Sequence, residues 1–248
     1  MIRSLRGMND TLEPEESARF SYFIETATRI AKNYGFRFIE TPQLEETALF
    51  KRSVGESSDI VGKEMYQFTD KGDNDVCLRP EGTAGVVRAF VQNKYDRQEQ
   101  TQRLFYHGTM FRYERPQKGR LRQFHQFGCE SFGEDSVLED VSLILMVRDI
   151  FNTLGINFTL KLNSLGDPSC MPQYRESLVS FLHEHETEIC EDCERRKLSN
   201  PIRVLDCKND KCQIVYKEAP KLMQNLCQNC DDDFKTLTSL LDEHGMSY

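Results

Sequence analysis

One stretch of the sequence, from Gly108 to Gly133, carries charged side chains at a spacing that suits ligand binding. If its two arms are β-strands, alternate side chains face opposite ways. One face then collects Arg112, Glu114, Gln126, Gly128 and Glu130. A strand face with both signs of charge could bind a small zwitterion together with a phosphate.

The opposite face of the same hairpin is mostly apolar, with Phe111, Tyr113, His125, Phe127 and Cys129. On this face His125 is expected to pack rather than to catalyse, and His107 is read in the same way. The alternative is an amphipathic surface hairpin whose polar face is only solvated, since exposed charge needs no explanation.

The segment that joins the two arms is basic. Between Arg112 and Arg122 there are five positive residues and one negative residue, in a chain whose formal net charge is −8. Local positive charge in an acidic chain indicates a specific anionic partner rather than general adhesion to nucleic acid.

Length and composition narrow the class of protein. The 248 residues suffice for one large or two modest domains. No apolar run approaches the roughly 18 residues that span a bilayer, and the N-terminus has no apolar signal segment. We therefore expect a cytoplasmic protein that does not bind membranes. In a reducing compartment its nine cysteines favour thiols or metal ligands over disulfides.

Hydrophobic periodicity predicts the elements that must position the hairpin. Apolar spacing favours a helix over Pro14–Tyr34 and a second helix between Val137 and Leu154, and Thr83 should open a third. Strands are predicted over four segments: 36–41, 76–79, 103–107 and 157–163. Hairpin-linked strands with segregated helices indicate an α+β fold, an antiparallel sheet with helices on one face.

The character of the sequence changes at Gly166-Asp167-Pro168. Beyond this point the spacing is helical and no convincing strand follows. We place a domain boundary there, with a partial catalytic domain over 1–166 and a helical domain over 167–248.

The second domain contains a cysteine cluster. Two CxxC pairs, Cys190/Cys193 and Cys227/Cys230, could each offer two thiolates to one tetrahedral zinc ion. Cys207 and Cys212 could substitute for members of this set. The alternative is a group of reduced, partly buried thiols.

Several motifs resemble those of bacterial histidyl-tRNA synthetases, which are class II aminoacyl-tRNA synthetases. Residues 6–10 (RGMND) resemble the opening of that family, and the first helix, strand and Pro42 resemble class II motif 1. The segment 78–85 (LRPEGTAG) resembles the histidine-binding turn, and 110–130 (MFRYERPQKGRLRQFHQFGCE) resembles motif 2 in its histidine-specific form. The resemblance extends over essentially the whole chain.

The resemblance implies activation of L-histidine by ATP and transfer to tRNA-His. Arg112 would be the catalytic cation on the α-phosphate and would border histidine, Glu114 would receive adenine, and Arg120 would reach the distal phosphates. Glu81, Thr83 and Gln126 would hold the ammonium end of histidine, and Glu130 would accept from its imidazole. Gly82 would also belong to the histidine-binding site. Mg²⁺ would bridge the phosphates of ATP. Alone, Glu81 could be only a first-turn carboxylate favoured by the helix dipole.

The resemblance also implies macromolecular partners. Arg115, Gln117 and Lys118 would meet the acceptor end of tRNA-His, although they could be solvated loop residues. Motif 1 would form a homodimer interface. The region beyond 167 would be the insertion domain that packs on the acceptor stem.

The sequence departs from the family pattern at its end. It stops at Tyr248, before the RGLDYY-like segment, motif 3 and the anticodon-binding domain. We therefore expect an incomplete sheet and ATP site, and little or no aminoacylation by these residues alone. Two alternatives are a histidine-binding regulatory subunit of ATP phosphoribosyltransferase and a fragment that acts only as an interaction module.

Overall fold

The computed structural model describes residues 2–55, 58 and 60–248. The chain forms two compact units, Met1–Asn157 (unit 1) and Phe158–Tyr248 (unit 2). Among the described residues, no helix is both long and apolar enough to cross a bilayer.

Unit 1 combines four helices with two small sheets in the described part of the chain, which confirms the predicted α+β class. Its helices are α1 (Pro14–Asn33), α2 (Thr47–Val54), α3 (Thr83–Gln92) and α4 (Val137–Thr153). Its strands are β1 (Arg37–Phe38), β2 (Leu44–Glu46), β3 (Tyr66–Thr69), β4 (Asp75–Leu78), β5 (Gln102–Phe111) and β6 (Gln123–Phe132). Short helical turns cover Ile60–Glu64 and Tyr95–Arg97.

The first sheet has the order β1-β5-β6 and contains the predicted hairpin. β5 and β6 pair antiparallel from Gln102↔Phe132 to Phe111↔Gln123. β1 is shorter than the predicted strand over 36–41 and runs parallel to β5. Three residues beyond β1, the Thr41 carbonyl oxygen accepts a hydrogen bond from Nη1 of the buried Arg79 side chain (2.9 Å).

Helices cover both faces of this sheet, whereas the sequence predicted helices on one face. On one face, Ala27 of α1 and Met146 of α4 pack with Phe105 in a buried cluster. On the other face, Val86 of α3 packs with Tyr106 and Met110. The prediction failed because α3 is short, and its contact with the sheet depends on strand register that sequence periodicity does not give.

The second sheet has the order β2-β4-β3 and is antiparallel throughout. It packs beside α2 and α3 through a small cluster of Phe50, Cys77 and Ala84. Only β4 was predicted; β2 and β3, which have three and four residues, were missed. This sheet brings the chain to Arg79 and Pro80, directly before the start of α3.

Unit 2 is helical, as its spacing predicts. It contains α5 (Cys170–Glu184), α6 (Glu191–Ser199), α7 (Asp210–Tyr216) and α8 (Gln228–Glu243), with 3-10 turns at Glu186–Glu188, Pro201–Asp206 and Leu222–Gln224. The predicted strand over 157–163 does not form, because no described strand pairs with it. The compact units divide before this stretch, at 157/158.

Candidate active site

The β5–β6 register decides which side chains share the polar face of the hairpin. Gly108 lies opposite Gln126, Tyr106 opposite Gly128, and Leu104 opposite Glu130. Paired residues of antiparallel strands project from the same face. Gln126, Gly128 and Glu130 therefore line one face, as the spacing predicts, with Tyr106 at its centre.

Tyr106 was not recognised as a site residue from the sequence. It is only 4% exposed, and burial raises the pKa of its hydroxyl to about 12. A Cβ atom at Gly82 or Gly128 would lie well inside van der Waals contact with its ring. Gly82 and Gly128, on two separate elements, thus make room for the Tyr106 ring. Their proximity to this ring depends on the strand register, which the sequence alone does not supply.

Glu130 is a partly buried carboxylate beside the start of α3. It accepts a hydrogen bond from the Thr83 hydroxyl (2.8 Å). Burial raises the pKa of this carboxyl, and the negative charge of Glu81 raises it further. The ionised form is therefore poorly compensated by the protein, and a hydrogen-bond donor or cation on this face would stabilise it.

Gln126 presents a second acceptor on the same face. Its side-chain carbonyl oxygen is buried and finds no hydrogen-bond partner among the described residues. A buried acceptor without a partner costs about 1–3 kcal/mol. A ligand that brings a donor to this oxygen would recover that free energy.

Glu81 caps the first turn of α3. Its two carboxylate oxygens accept backbone N–H groups from Thr83 (2.6 Å) and Ala84 (3.0 Å). Without a ligand, the Glu81 carboxylate therefore makes the contacts expected of a helix cap. The cap also fixes Thr83, whose hydroxyl reaches Glu130.

Arg112 lies just beyond the end of β5. The strand ladder stops at Phe111, so Arg112 and Glu114 were wrongly included in a strand arm, and their side chains are fixed by local contacts instead. The Arg112 guanidinium donates from Nε to the Pro80 carbonyl oxygen (2.9 Å) and lies 5.2 Å from the centroid of the Phe124 ring.

Glu114 connects the charged groups at the base of the loop. Its carboxylate lies 3.1 Å from Nη1 of Arg120 and 4.0 Å from Nη1 of Arg112. The three residues predicted to bind ATP are thus neighbours. Because Arg120 is largely exposed, its side chain can leave this pair at little cost.

The N-terminal segment closes onto the hairpin, a contact that the sequence did not suggest. The Gly7 carbonyl oxygen accepts from the backbone N–H groups of Arg122 (2.8 Å) and Gln123 (3.1 Å). Gly7 has φ +81°, and a Cβ there would lie 2.9 Å from Pro116 Cγ. Only glycine suits both the backbone conformation and the close approach.

The loop tip is a tight turn in which the backbones of Gln117 and Arg120 pair with each other. Its predicted tRNA-binding side chains, Arg115, Gln117 and Lys118, are all exposed. On the opposite hairpin face, His125 lies at the surface with its ring 4.7 Å from that of Phe20. Burial lowers the pKa of His125, and His107 lowers it further.

Comparison with known proteins identifies the family. The histidyl-tRNA synthetase family profile matches residues 7–179, which include the whole hairpin and the start of α3. The chain belongs to the histidyl-tRNA synthetase family.

Individual relatives agree with this assignment. The histidine–tRNA ligase of Sulfurimonas denitrificans is 68% identical over 248 residues, and that of Campylobacter concisus is 63% identical over 248 residues. The apo histidyl-tRNA synthetase of S. aureus superposes with a TM-score of 0.80 at 33% identity and covers 100% of this chain and 56% of its own.

The chain spans 61% of the S. denitrificans relative and 60% of the C. concisus relative. A Bacillus halodurans protein described as an ATP phosphoribosyltransferase regulatory subunit/histidyl-tRNA synthetase has a TM-score of 0.67 at 20% identity. This second likeness shows a shared fold.

In this histidyl-tRNA synthetase family member, the cysteines of unit 2 form two clusters. Cys190 and Cys193 lie with Cys207 and Cys212, whereas Cys227 and Cys230 lie with Cys170 and Asp167. The predicted set of Cys190, Cys193, Cys227 and Cys230 is therefore not brought together. Each CxxC pair opens a different helix, α6 or α8, and each finds its partners elsewhere in the chain.

Proposed function

We propose that this chain forms the histidine- and ATP-binding wall of a histidine–tRNA ligase that acts in cytoplasmic protein synthesis. The observation that carries the proposal is the buried, unpartnered oxygen of Gln126 on the same strand face as Glu130. The Gln126 oxygen has no partner among the described residues, and Glu130 is paired only with neutral hydroxyl donors such as that of Thr83. Free histidine offers hydrogen-bond donors at both of its ends.

Histidine would bind with its ammonium group toward Gln126, Glu81 and Thr83 and its imidazole N–H toward Glu130. Gln126 and Glu130 lie on the same face of β6, with Gly128 between them on that face. An amino acid without a donor at the Glu130 end would leave that partly buried carboxylate with only its hydroxyl donors, such as Thr83. Such a mismatch costs about 1–3 kcal/mol or more for a charged group, so the face discriminates as well as binds.

Arg112 would stabilise the transferring phosphoryl group. In the activation step, a carboxylate oxygen of histidine attacks the α-phosphorus of ATP, and pyrophosphate leaves with the electrons of the broken P–O bond. The Pro80 and Phe124 contacts hold the Arg112 guanidinium in place through Nε and its face. Its terminal nitrogens would then make the bidentate contact with phosphate oxygens.

ATP binding would rearrange the pair formed by Glu114 and Arg120. Arg120 would turn from Glu114 to the distal phosphates, and Glu114 would then receive the adenine amino group. Mg²⁺ would be bound by the phosphates of ATP and would neutralise their charge. No carboxylate of this wall is required as a general base, because the histidine carboxylate is already ionised near neutral pH.

The exposed loop would present its positive charge to tRNA-His. The loop exposes the side chains of Arg115, Gln117 and Lys118 to solvent. Cations at a loop tip suit contacts with phosphate oxygens of the acceptor end. The α1 region, which resembles motif 1, would form the interface of a homodimer.

The proposal is tested by histidine-dependent ATP–pyrophosphate exchange, measured on the gene product that contains these residues. Exchange should require histidine and should not occur with other amino acids. Histidine binding without any exchange would contradict the ligase and would favour a regulatory role.

A further inference from the structure

Unit 2 contains two groups of metal-binding side chains outside the proposed active site. In each group, the four potential ligand atoms lie within 4.8 Å of one another. Each group draws on residues that are distant in sequence, so that the fold rather than a local motif gathers them. We propose that unit 2 binds two zinc ions, one through Cys190, Cys193, Cys207 and Cys212, and one through Asp167, Cys170, Cys227 and Cys230.

The spacing of the first group matches that of a tetrahedral thiolate site. Zinc–sulfur bonds of about 2.3 Å place neighbouring sulfurs of a tetrahedron about 3.8 Å apart. The Sγ atoms of Cys190 and Cys207 are separated by 3.8 Å. A disulfide would require about 2.05 Å between sulfurs, so the arrangement is that of four separate ligands.

Backbone amides support the sulfur atoms of this group. The Cys190 N–H donates to Sγ of Cys212 (3.2 Å), and the Asn209 N–H points to Sγ of Cys207 (3.5 Å). Donors of this kind orient thiolate ligands and offset their negative charge. Cys193 and Cys212 are fully buried and Cys207 is 9% exposed, and the three form part of the unit 2 core.

In the second group, the two carboxylate oxygens of Asp167 make different contacts. Asp167 Oδ1 accepts from the backbone N–H groups of Ser169 (2.8 Å) and Cys170 (3.0 Å) and from the Ser169 hydroxyl (2.6 Å). Oδ2 faces the cysteines and lies 3.8 Å from Sγ of Cys227. One oxygen thus fixes the start of α5, and the other is placed to bind a metal.

The backbone brings the remaining ligands of this group together. The Cys227 N–H donates to Sγ of Cys170 (3.1 Å), which joins the start of α8 to the start of α5. Gly166 has φ +61°, and a Cβ there would lie 2.9 Å from the same Sγ atom. Glycine at this position therefore lets Asp167 and Cys170 approach Cys227 and Cys230.

The donor sets specify the metal and its role. Soft thiolates in tetrahedral groups, with or without a carboxylate, suit Zn²⁺, whereas Mg²⁺ and Ca²⁺ require oxygen ligands. Each group supplies four protein ligands, which leaves no position open for a substrate. We therefore assign both ions a structural role: the first joins α6 to the segment that leads into α7, and the second joins α5 to α8.

The test measures metal content of the purified chain, prepared without chelator, by plasma mass spectrometry. We expect two zinc ions per chain. Cys193→Ser and Cys230→Ser should each lose one ion, and the double variant both. Cys129→Ser, on the β6 strand of unit 1, is the matched control and should retain two.

Two further measurements do not depend on whether a cysteine variant folds. X-ray absorption of the wild-type zinc should show sulfur ligands with a minor oxygen component, since the groups together contain seven thiols and one carboxylate. Asp167→Asn should weaken retention of one ion against a chelator and leave the other unchanged. Fewer than two zinc ions in the wild-type chain, or loss of the same ion in both cysteine variants, would overturn the proposal.

Discussion

The β5–β6 hairpin and the cysteine groups of unit 2 both hold polar side chains at fixed positions, but they do so by different means. In the hairpin, paired strands and an aromatic ring set the positions of Gln126 and Glu130. In unit 2, the ligating residues lie at helix starts and in short turns. Ladder hydrogen bonds specify the first arrangement, whereas the second contains no strand.

This difference indicates which site depends on its ligand for structure. The hairpin is stabilised by its ladder and by the buried cluster around Phe105, and its site can exist before histidine arrives. The core of unit 2 includes Cys193, Cys207 and Cys212 themselves. Removing the ions would remove the bonds that hold these sulfur atoms together within that core, so metal binding and folding of unit 2 should be coupled.

The largest expected effect is therefore that of zinc removal. Stripping the chain with a strong chelator should unfold unit 2, since structural zinc contributes on the order of 10 kcal/mol in small zinc domains. Unit 1 should keep its fold. Hydrogen exchange with mass spectrometry on the intact chain reads the two units separately, and exchange should accelerate in peptides from 158–248 only. Equal acceleration of hydrogen exchange in both units would contradict the expectation that only unit 2 depends on zinc for its fold.

Loss of the Arg112 guanidinium should have the next largest effect. In the gene product that contains these residues, Arg112→Ala should lower kcat for histidine-dependent ATP–pyrophosphate exchange by about 10²–10³-fold, because one fixed donor to a developing charge contributes about 3–4 kcal/mol. Arg112→Lys should recover only part of the rate, since it keeps the charge and loses the planar fork. Arg175→Ala, at an exposed position of α5, is the control and should leave exchange unchanged.

Replacing the Glu130 carboxylate should weaken histidine binding by about 10- to 100-fold, in line with the 1.5–3 kcal/mol of a hydrogen bond to a charged group. In the wild type, affinity should fall as the pH drops through the pKa of Glu130, which lies above the usual value of 4.5. Glu130→Gln should abolish this component of the pH profile. Affinity profiles of the two proteins that coincide at every pH would exclude Glu130 from binding.

The same substitution should affect stability in the opposite direction. A raised carboxyl pKa means that the folded state binds a proton more tightly than the unfolded state. Its contribution to the free energy of unfolding is complete below the unfolded pKa and is lost as the pH rises through the folded pKa. Without ligand at neutral pH, Glu130→Gln should therefore be no less stable than the wild type by chemical denaturation.

A substitution at Gly128 tests the preset geometry of the hairpin. Gly128→Ala should cost about 1–3 kcal/mol of unfolding free energy, because the new methyl overlaps the Tyr106 ring. Adding Gly128→Ala to a Tyr106→Leu background should cost less, which a double-mutant cycle measures. Additive costs would show that the ring does not set the position of β6.

Much of unit 1 follows from local patterns. Apolar spacing placed α1 and α4 nearly to the residue, and strand alternation put Gln126 and Glu130 on one face. What failed were features set by long-range pairing: the early end of β1, the strands β2 and β3, and α3 on the second sheet face. The strand predicted over 157–163 has suitable alternation, but alternation cannot supply a partner strand.

The cysteine groups show the same limit more clearly. Two identical CxxC spacings suggested one shared ion, because spacing shows which thiols are close in sequence. In the structure, each CxxC pair lies with residues that are distant in sequence, as Cys227 does with Cys170. Asp167, the non-cysteine ligand of the second proposed site, follows the glycine that marked a domain boundary in the sequence, and nothing in its spacing distinguished it from a helix cap.

The proposed function has the unpaired Gln126 oxygen and Glu130 receive the two ends of histidine. It is tested most directly by calorimetric affinities of the gene product for histidine and for imidazolepropionate, which lacks the ammonium group, in the wild type and in Gln126→Met. Loss of the ammonium group should weaken wild-type binding about 10- to 100-fold, the range of a buried acceptor left unpaired. The loss in the variant should be much smaller. Equal losses in both proteins would contradict the claim.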